Sequence, residues 1–200
     1  MPDQPDLLQI RLPAWLGAFC ASRPHHLATA QERMALVIEA ARANVANGTG
    51  GPFAAAVFES ASGRLVALGV NLVTTQGLSM LHAEVVALAF AQRMLGTYDL
   101  GAPGLPRHEL VASAEPCAMC LGAIPWSGVR KLITGARDAD VRKIGFDEGA
   151  KLPGWRDELE KRGIATVCDV GRAAAAQVLL DYAAAGGAIY NPGKAGQVAG

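Results

Sequence analysis

Two short motifs in the sequence contain residue types that bind zinc. Pro116 precedes Cys117 and Cys120, and His82 lies further upstream. Two cysteines three positions apart on the first turn of a helix lie on the same face, where their sulfurs can bind one ion. The unpaired N–H groups at that helix end favour the thiolate form. With His82 these thiolates form a Cys₂His ligand set, which suits Zn²⁺ better than Mg²⁺ or Ca²⁺.

The number of ligands predicts a catalytic zinc site rather than a structural one. Structural sites are closed by four protein ligands, whereas catalytic sites keep one position open for water. No fourth Cys or His lies at ligand spacing from this set. Bound zinc would lower the pKa of water at the open position to about 7. Glu84, two residues after the histidine, could then take a proton from that water and return it to a substrate.

The predicted elements place both motifs at helix starts. A Thr29–Glu32 capping box predicts a helix that runs to about residue 47. Apolar runs and turn residues predict a hairpin of strands 53–58 and 65–73. The remaining predictions are helices at 82–95, from about 117, at 138–144 and at 172–185, and strands at 109–113, 131–135 and 164–170. This alternation of strands and helices predicts one α/β domain.

Composition excludes several classes of protein. The 200 residues carry 18 basic and 18 acidic side chains, and 51% of them are hydrophobic. Such a chain can bury a sizeable core, which disfavours disorder and coiled coils. Zero net charge argues against binding to nucleic acid, and four cysteines are too few for a disulfide scaffold. Apolar runs are too short for a membrane span, and Asp3 and Asp6 are unlike a secretory signal, so we expect a cytoplasmic protein.

The distribution of proline and glycine predicts three regions along the chain. Residues 1–28 contain four prolines together with Trp15 and Phe19, and we expect an N-terminal arm with one short packed helix. Residues 29–190 would form the zinc-dependent catalytic domain. Residues 191–200 are glycine-rich and are predicted to form a C-terminal tail.

The joint motif, His82-x-Glu84 with Pro116-Cys117-x-x-Cys120, resembles the zinc-binding signature of the cytidine deaminase superfamily. This resemblance implies an α/β fold, a three-layer α/β/α sandwich around a central mixed five-stranded sheet. It implies one Zn²⁺ per subunit, with both metal-binding helices directing their N-termini at the ion. The implied reaction is hydrolytic removal of an exocyclic amine from a nucleobase-type ring.

Within that superfamily, segments 51–57, 71–75, 115–126 and 145–148 are similar to bacterial guanine deaminases. This likeness implies conversion of guanine to xanthine and ammonia in a homodimer, with a small base rather than nucleic acid or a membrane as partner. Glu84 would be the main proton shuttle. Glu148 would be a second acidic group near the substrate amine, because a reaction with several proton transfers suits two carboxylates. The alternative for Glu148 is a solvated charge.

Five further residues are candidates for contact with the substrate. Asn71 carries an amide that can pair with a purine edge, or it could simply cap a turn. Trp126 offers a flat face for stacking and Phe53 an opposite wall, although either could serve in packing alone. Ala83 lies between the histidine and the glutamate of the first motif. Tyr190 belongs to a C-terminal segment that, by resemblance, closes the site.

Three alternatives to a guanine deaminase remain open. One is a tRNA adenosine deaminase of the same superfamily. Another is a deaminase of a different aminated ring, such as cytosine, adenine or an aminotriazine. A third is a non-enzymatic zinc protein, which the presence of Glu84 disfavours because a structural site has no need of that carboxylate.

Overall fold

A five-stranded mixed sheet forms the centre of the computed structural model, which describes residues 5–191 and 193. In space the strands follow the order β2-β1-β3-β4-β5. β1 pairs antiparallel with both β2 and β3, whereas β3, β4 and β5 run parallel. The strands are β1 (Ala54–Glu59), β2 (Leu65–Val70), β3 (His108–Ala114), β4 (Lys131–Ala136) and β5 (Ala165–Val167).

Helices cover both faces of this sheet. The longest, α2, begins after Thr29, whose side chain accepts a bond from the Glu32 N–H while Glu32 bonds back to the Thr29 N–H, as the capping box predicts. The helices are α1 (Ala14–Ala21), α2 (Ala30–Ala46), α3 (Val73–Gln76), α4 (Ala83–Leu95), α5 (Ala118–Ser127), α6 (Asp138–Lys143), α7 (Trp155–Lys161) and α8 (Arg172–Ala184).

The alternation of side chains along β1 produces two separate hydrophobic cores. Ala54, Ala56 and Phe58 pack with α1, α2 and α8 on one face. Ala55 and Val57 pack with α4, α5 and α7 on the other. All five are almost completely buried, because a central strand covered by helices on both faces has no solvent side. The predicted three-layer α/β/α sandwich with a mixed five-stranded sheet is therefore confirmed.

Three predicted elements differ from the structure. The strand expected at 164–170 is shortened to β5, because Asp169 adopts a left-handed backbone conformation (φ 65°) that no strand can continue. The second hairpin strand ends at Val70, and Val73 begins α3 instead. The sequence does not predict α7, because this helix follows Gly154 and has no side-chain cap at its start.

The N-terminal arm packs on the domain through α1. Leu16 is only 3% exposed, and the Trp15 indole N–H donates to the Thr49 hydroxyl over 2.9 Å. The boundaries of the arm, domain and tail stay predictions, and most of the predicted tail lies outside the described residues. Among the described helices, none has the length and apolar character needed to cross a membrane.

Candidate active site

The two sequence motifs meet at the N-termini of α4 and α5. His82 is the N-cap residue of α4 and Cys117 that of α5, and both have extended backbone. Cys120 follows on the first turn of α5, so its sulfur returns to the same helix end. His82 Nδ1 and Cys117 Sγ lie 3.4 Å apart, and the candidate ligand atoms of all three residues lie within 4.8 Å of one another. The fold thus brings together residues that are 35 positions apart in sequence.

The spacing of these atoms fits zinc. Tetrahedral zinc with bonds of about 2.1 Å to nitrogen and 2.3 Å to sulfur would hold the two atoms about 3.6 Å apart, close to the observed separation of His82 and Cys117. Both cysteines are free and buried. Soft sulfur ligands with one imidazole select zinc over hard cations. The residues that would hold Zn²⁺ are therefore His82, Cys117 and Cys120.

The electrostatics of the ligand cluster favour one thiolate. A hydrogen bond from Cys120, together with the one to His82, outweighs burial and lowers the pKa of the Cys117 thiol to about 4. The same bond and burial raise the pKa of Cys120. Burial lowers the pKa of His82, but its bond to Cys117 and the negative charge of Glu84 outweigh burial, so the net pKa is raised. A thiolate is the form that binds metal.

Glu84 lies on the first turn of α4, beside the metal ligands. Burial, together with the negative charge of Cys117, raises the pKa of its carboxyl, whereas the positive charge of His82 opposes the shift. Its accessible surface faces a cavity that Cys117 and His82 also line. A carboxyl with a raised pKa beside a metal site suits proton transfer.

A cavity of about 370 Å³ opens in front of the metal site. This volume lies within the range of small-molecule sites, and most of the wall is apolar with a few polar groups. The residues of its wall that bear on recognition are Phe53, Asn71, Glu84, Phe146, Glu148 and Tyr190.

Glu148 reaches this cavity from the irregular segment that follows α6. Burial raises the pKa of its carboxyl to about 7, against the opposing charge of Lys151. The backbone carbonyl of Glu148 accepts the N–H of Ala118 over 3.0 Å, at the start of the cysteine helix. The backbone at Glu148 is therefore tied to the same helix end as the metal ligands.

Asn71 lies directly after β2 and lines the cavity while being 1% exposed. Its Oδ1 accepts the backbone N–H of Val73 over 3.2 Å, which fixes the amide and leaves its NH₂ group available to a ligand. From α2, the buried Asn44 donates to the backbone carbonyls of Asn71 and Gly51, each over 2.9 Å. The Thr49 hydroxyl in turn donates to Asn44 Oδ1 over 2.7 Å.

Three aromatic rings line the cavity. Phe146 contacts Phe53 edge-to-face with ring centroids 5.2 Å apart, and it contacts Tyr190 at 4.9 Å. Tyr190 packs against Gly51, where a β-carbon would collide with the tyrosine hydroxyl. That hydroxyl is buried and finds no hydrogen-bond partner within the described ranges. Asn191 then donates to the Gly145 carbonyl and accepts the Asp147 N–H, each over 2.8 Å, which ties this segment of the chain to the cavity wall.

Two of the predicted substrate contacts do not reach the cavity. Trp126 is 86% exposed and lines a separate surface groove. It lies near the end of α5, about 12 Å along the helix axis from the first residue, so the expectation that it stacks on a substrate is not met within this chain. Ala83 is 1% exposed and packs in the core beneath α4, so its side chain does not contact the cavity.

Sequence reasoning missed two residues at the site. Phe146 was part of a recognised motif, but no role followed from its type alone. Lys151 contacts Glu148 across a loop. The i,i+3 spacing of opposite charges was visible, but in an irregular segment such spacing predicts no contact.

Comparison with known proteins finds relatives that match nearly the whole chain. The chain is 49% identical to a guanine deaminase from Nitrosomonas europaea of known structure, covering 91% of this chain and 99% of that one, with a TM-score of 0.86. It is 50% identical to a protein solved in complex with 2,6-diaminopurine, covering 93% of this chain and 97% of that one, with a TM-score of 0.87. It is also 40% identical to a guanine deaminase from Bacillus subtilis (strain 168) over 50% of this chain, which spans 60% of that protein's length.

A family model for the cytidine and deoxycytidylate deaminase zinc-binding region matches residues 27–136. The matched stretch is more than half of the chain, and it contains all three metal ligands and Glu84. The chain therefore belongs to the cytidine and deoxycytidylate deaminase family.

Proposed function

We propose that this protein hydrolyses free guanine to xanthine and ammonia. The observation that carries the proposal is the cavity itself, in which two carboxylates, an oriented amide and aromatic rings surround a Cys₂His metal site. Similarity to guanine deaminases along nearly the whole chain supports it. The ligand of one relative, 2,6-diaminopurine, is also a purine with an amino group at a ring carbon.

Hydrolysis consumes one water, breaks the bond between a ring carbon of guanine and its amino nitrogen, and releases that nitrogen as ammonia. His82, Cys117 and Cys120 would hold Zn²⁺, which when bound would supply a Lewis acid able to make water nucleophilic at neutral pH. Glu84 takes a proton from the attacking water and delivers it to a ring nitrogen. Glu148 accepts a hydrogen bond from the substrate amine, and it passes the remaining proton of the hydroxyl formed at the ring carbon to the departing nitrogen as the xanthine carbonyl forms.

The remaining wall binds and orients the ring. Asn71 donates from its NH₂ group to an acceptor on the purine edge, because its oxygen is already engaged by Val73. Phe53 and Phe146 exclude water and supply flat apolar contacts for the base. Tyr190 and Asn191 add to the wall of the cavity, whose volume of about 370 Å³ suits a free base.

The exposed apolar surface around Trp126 supports a homodimer. Leu152 is 58% exposed and lines the same groove as Trp126 and Trp155. Apolar patches of this kind on a folded domain mark sites of association, and a second copy gives a closed symmetric dimer. We expect Trp126→Asp to convert the dimer to monomer in light scattering. Met94→Asp, at an exposed position on α4, should leave it dimeric.

One assay tests the proposed reaction against its alternatives. Zinc-loaded protein is incubated separately with guanine, adenine, cytosine, an aminotriazine and a tRNA anticodon stem, and ammonia is measured. Release from guanine alone supports the proposal. Release from the stem but not from guanine identifies a tRNA adenosine deaminase, and no release from any substrate leaves a non-enzymatic zinc protein. The cytoplasmic location stays a prediction from the sequence.

A further inference from the structure

A buried lysine lies beside the cavity and has no role in the reaction as derived so far. The side chain of Lys151 is only 10% exposed, although it comes from an irregular loop. Lysine is almost never this buried without a charged partner. Here the ammonium has two such partners, at 2.6 Å from Asp138 Oδ1 and at 3.2 Å from Glu148 Oε2.

These two partners lie on different kinds of segment. Asp138 is the first residue of α6, which follows β4. Glu148 belongs to the irregular segment between α6 and α7. Lys151 therefore joins a carboxylate on an irregular segment to one on a helix, since the same ammonium contacts both.

The charges around Asp138 leave Lys151 available to Glu148. Arg142 Nε donates to Asp138 Oδ2 over 2.6 Å, one turn along α6. Asp138 thus has one cation of its own on Oδ2, and Lys151 approaches the other oxygen. Asp138 shares its negative charge between Arg142 and Lys151, so it does not fully neutralise the ammonium of Lys151. The ammonium therefore also attracts the Glu148 carboxylate.

We propose that Lys151, anchored on Asp138, is a positioning residue that holds the Glu148 carboxylate at the cavity wall. Lys151 engages Oε2, so Oε1 is the oxygen presented to the substrate amine. This inference rests on the role of Glu148 in the proposed function. Removing the ammonium leaves a buried carboxylate on an irregular segment without its cation, and Glu148 then turns away from the cavity.

The test compares Lys151→Met and Lys151→Arg with wild-type holoenzyme. We expect K151M to lower kcat/KM for guanine about 100-fold, the scale on which a misplaced group affects turnover. Part of the loss should be a raised KM, because Glu148 contacts the substrate amine. K151R retains the positive charge and should recover most of the activity. Zinc content should be unchanged in both.

A matched control exists in the same chain. Lys161 is also three residues after a glutamate, and its ammonium lies 2.6 Å from Glu158 Oε1, but its side chain is 69% exposed and does not line the cavity. Lys161→Met should leave kcat and KM as in the wild type. If K161M and K151M lose activity equally, the effect is nonspecific and the proposal is overturned.

A double-mutant cycle with Glu148→Gln separates positioning from a general structural effect. If Lys151 acts through Glu148, K151M lowers activity no further when Glu148 is already glutamine. Equal losses from K151M in both backgrounds would overturn the proposal. If K151M does not fold, K151Q, which is one atom shorter but keeps a polar end without the charge, takes its place in the cycle.

A crystal structure of K151M provides a readout independent of turnover. A Glu148 carboxylate displaced from the cavity wall supports the inference, and one that stays in place overturns it. If the wild type releases no ammonia from guanine, the proposed function is refuted, and this structural comparison alone decides the role of Lys151.

Discussion

At the residue scale, Glu84 and Glu148 are two carboxylates of one cavity whose surroundings differ. Burial raises the pKa of both, but Glu84 stands beside the metal ligands, whereas Glu148 faces the ammonium of Lys151. Groups of the same type can thus hold different protonation states in one cavity. These different neighbours are the basis for proposing that Glu84 shuttles protons and that Glu148 accepts a hydrogen bond from the substrate amine.

Replacing Glu84 by glutamine should separate metal binding from proton transfer. Because Glu84 is not one of the three candidate zinc ligands, E84Q should retain zinc, which elemental analysis measures. Turnover of guanine should fall about 10³-fold, since general acid–base catalysis contributes on this scale. Near-normal turnover with full zinc content would remove Glu84 from the mechanism.

The pH dependence of activity should contain a contribution from Glu148. Its pKa is raised to about 7, so the carboxyl is mostly protonated at pH 6 and mostly ionised at pH 8. The ionised carboxylate is the form that accepts a hydrogen bond from the substrate amine most strongly. We therefore expect kcat/KM to rise as the pH increases through 7. The profile of Glu148→Gln should lack this rise. An identical profile in both proteins would contradict the assignment.

At the element scale, α2 supports the site from the far side of Asn71. Asn44 on this helix is fully buried and donates to the Asn71 and Gly51 carbonyls. Through Thr49 the same chain of hydrogen bonds continues to Trp15 on α1. The N-terminal arm is therefore connected to the segment that carries Asn71.

Replacing Asn44 by alanine should impair both folding and binding. Two buried carbonyls lose their donor, which should reduce the free energy of unfolding by about 3 kcal/mol. We also expect a higher KM for guanine, because the Asn71 backbone loses its support. Thr29→Ala, which removes the helix cap at the other end of α2, should cost about 1 kcal/mol in chemical denaturation with KM unchanged. A KM equally raised in both variants would contradict this role.

The sequence predicts elements with strong local signals and misses those set by tertiary contacts. Thr29 and Glu32 form the predicted cap, because both partners lie within one turn. The Cys₂His cluster was also predictable, since metal ligands are specified by residue type and spacing. By contrast, α7 starts at a glycine without a cap, Trp126 lies too far along α5, and Lys151 meets Glu148 only through the path of a loop.

At the scale of the whole molecule, the metal site joins two helices that are packed on one face of the sheet. α4 follows the antiparallel part, and α5 follows β3, where the sheet turns parallel. Zinc bound to both helix starts would link these parts directly. A ligand that binds only the folded state stabilises it by mass action.

Removing zinc should therefore lower the thermal stability of the protein. With free zinc at about 1,000 times its dissociation constant, binding contributes about 4 kcal/mol, which corresponds to a Tm shift of roughly 10 °C for a chain of this size. Scanning calorimetry with and without a chelator measures this shift. Cys120→Ser should lower Tm in zinc and respond little to the chelator; an unchanged Tm in this variant would mean that Cys120 is not a ligand.

The position of the ligands at two helix starts also bears on when zinc can bind during folding. His82 and Cys117 lie together in the folded state because β1 pairs with both β2 and β3, and each of the two helices follows its own strand. We therefore expect tight zinc binding to require the pairing of these three strands. In a cell, a newly made chain would bind zinc tightly only once they have paired, and the rate of zinc capture would report how fast they assemble.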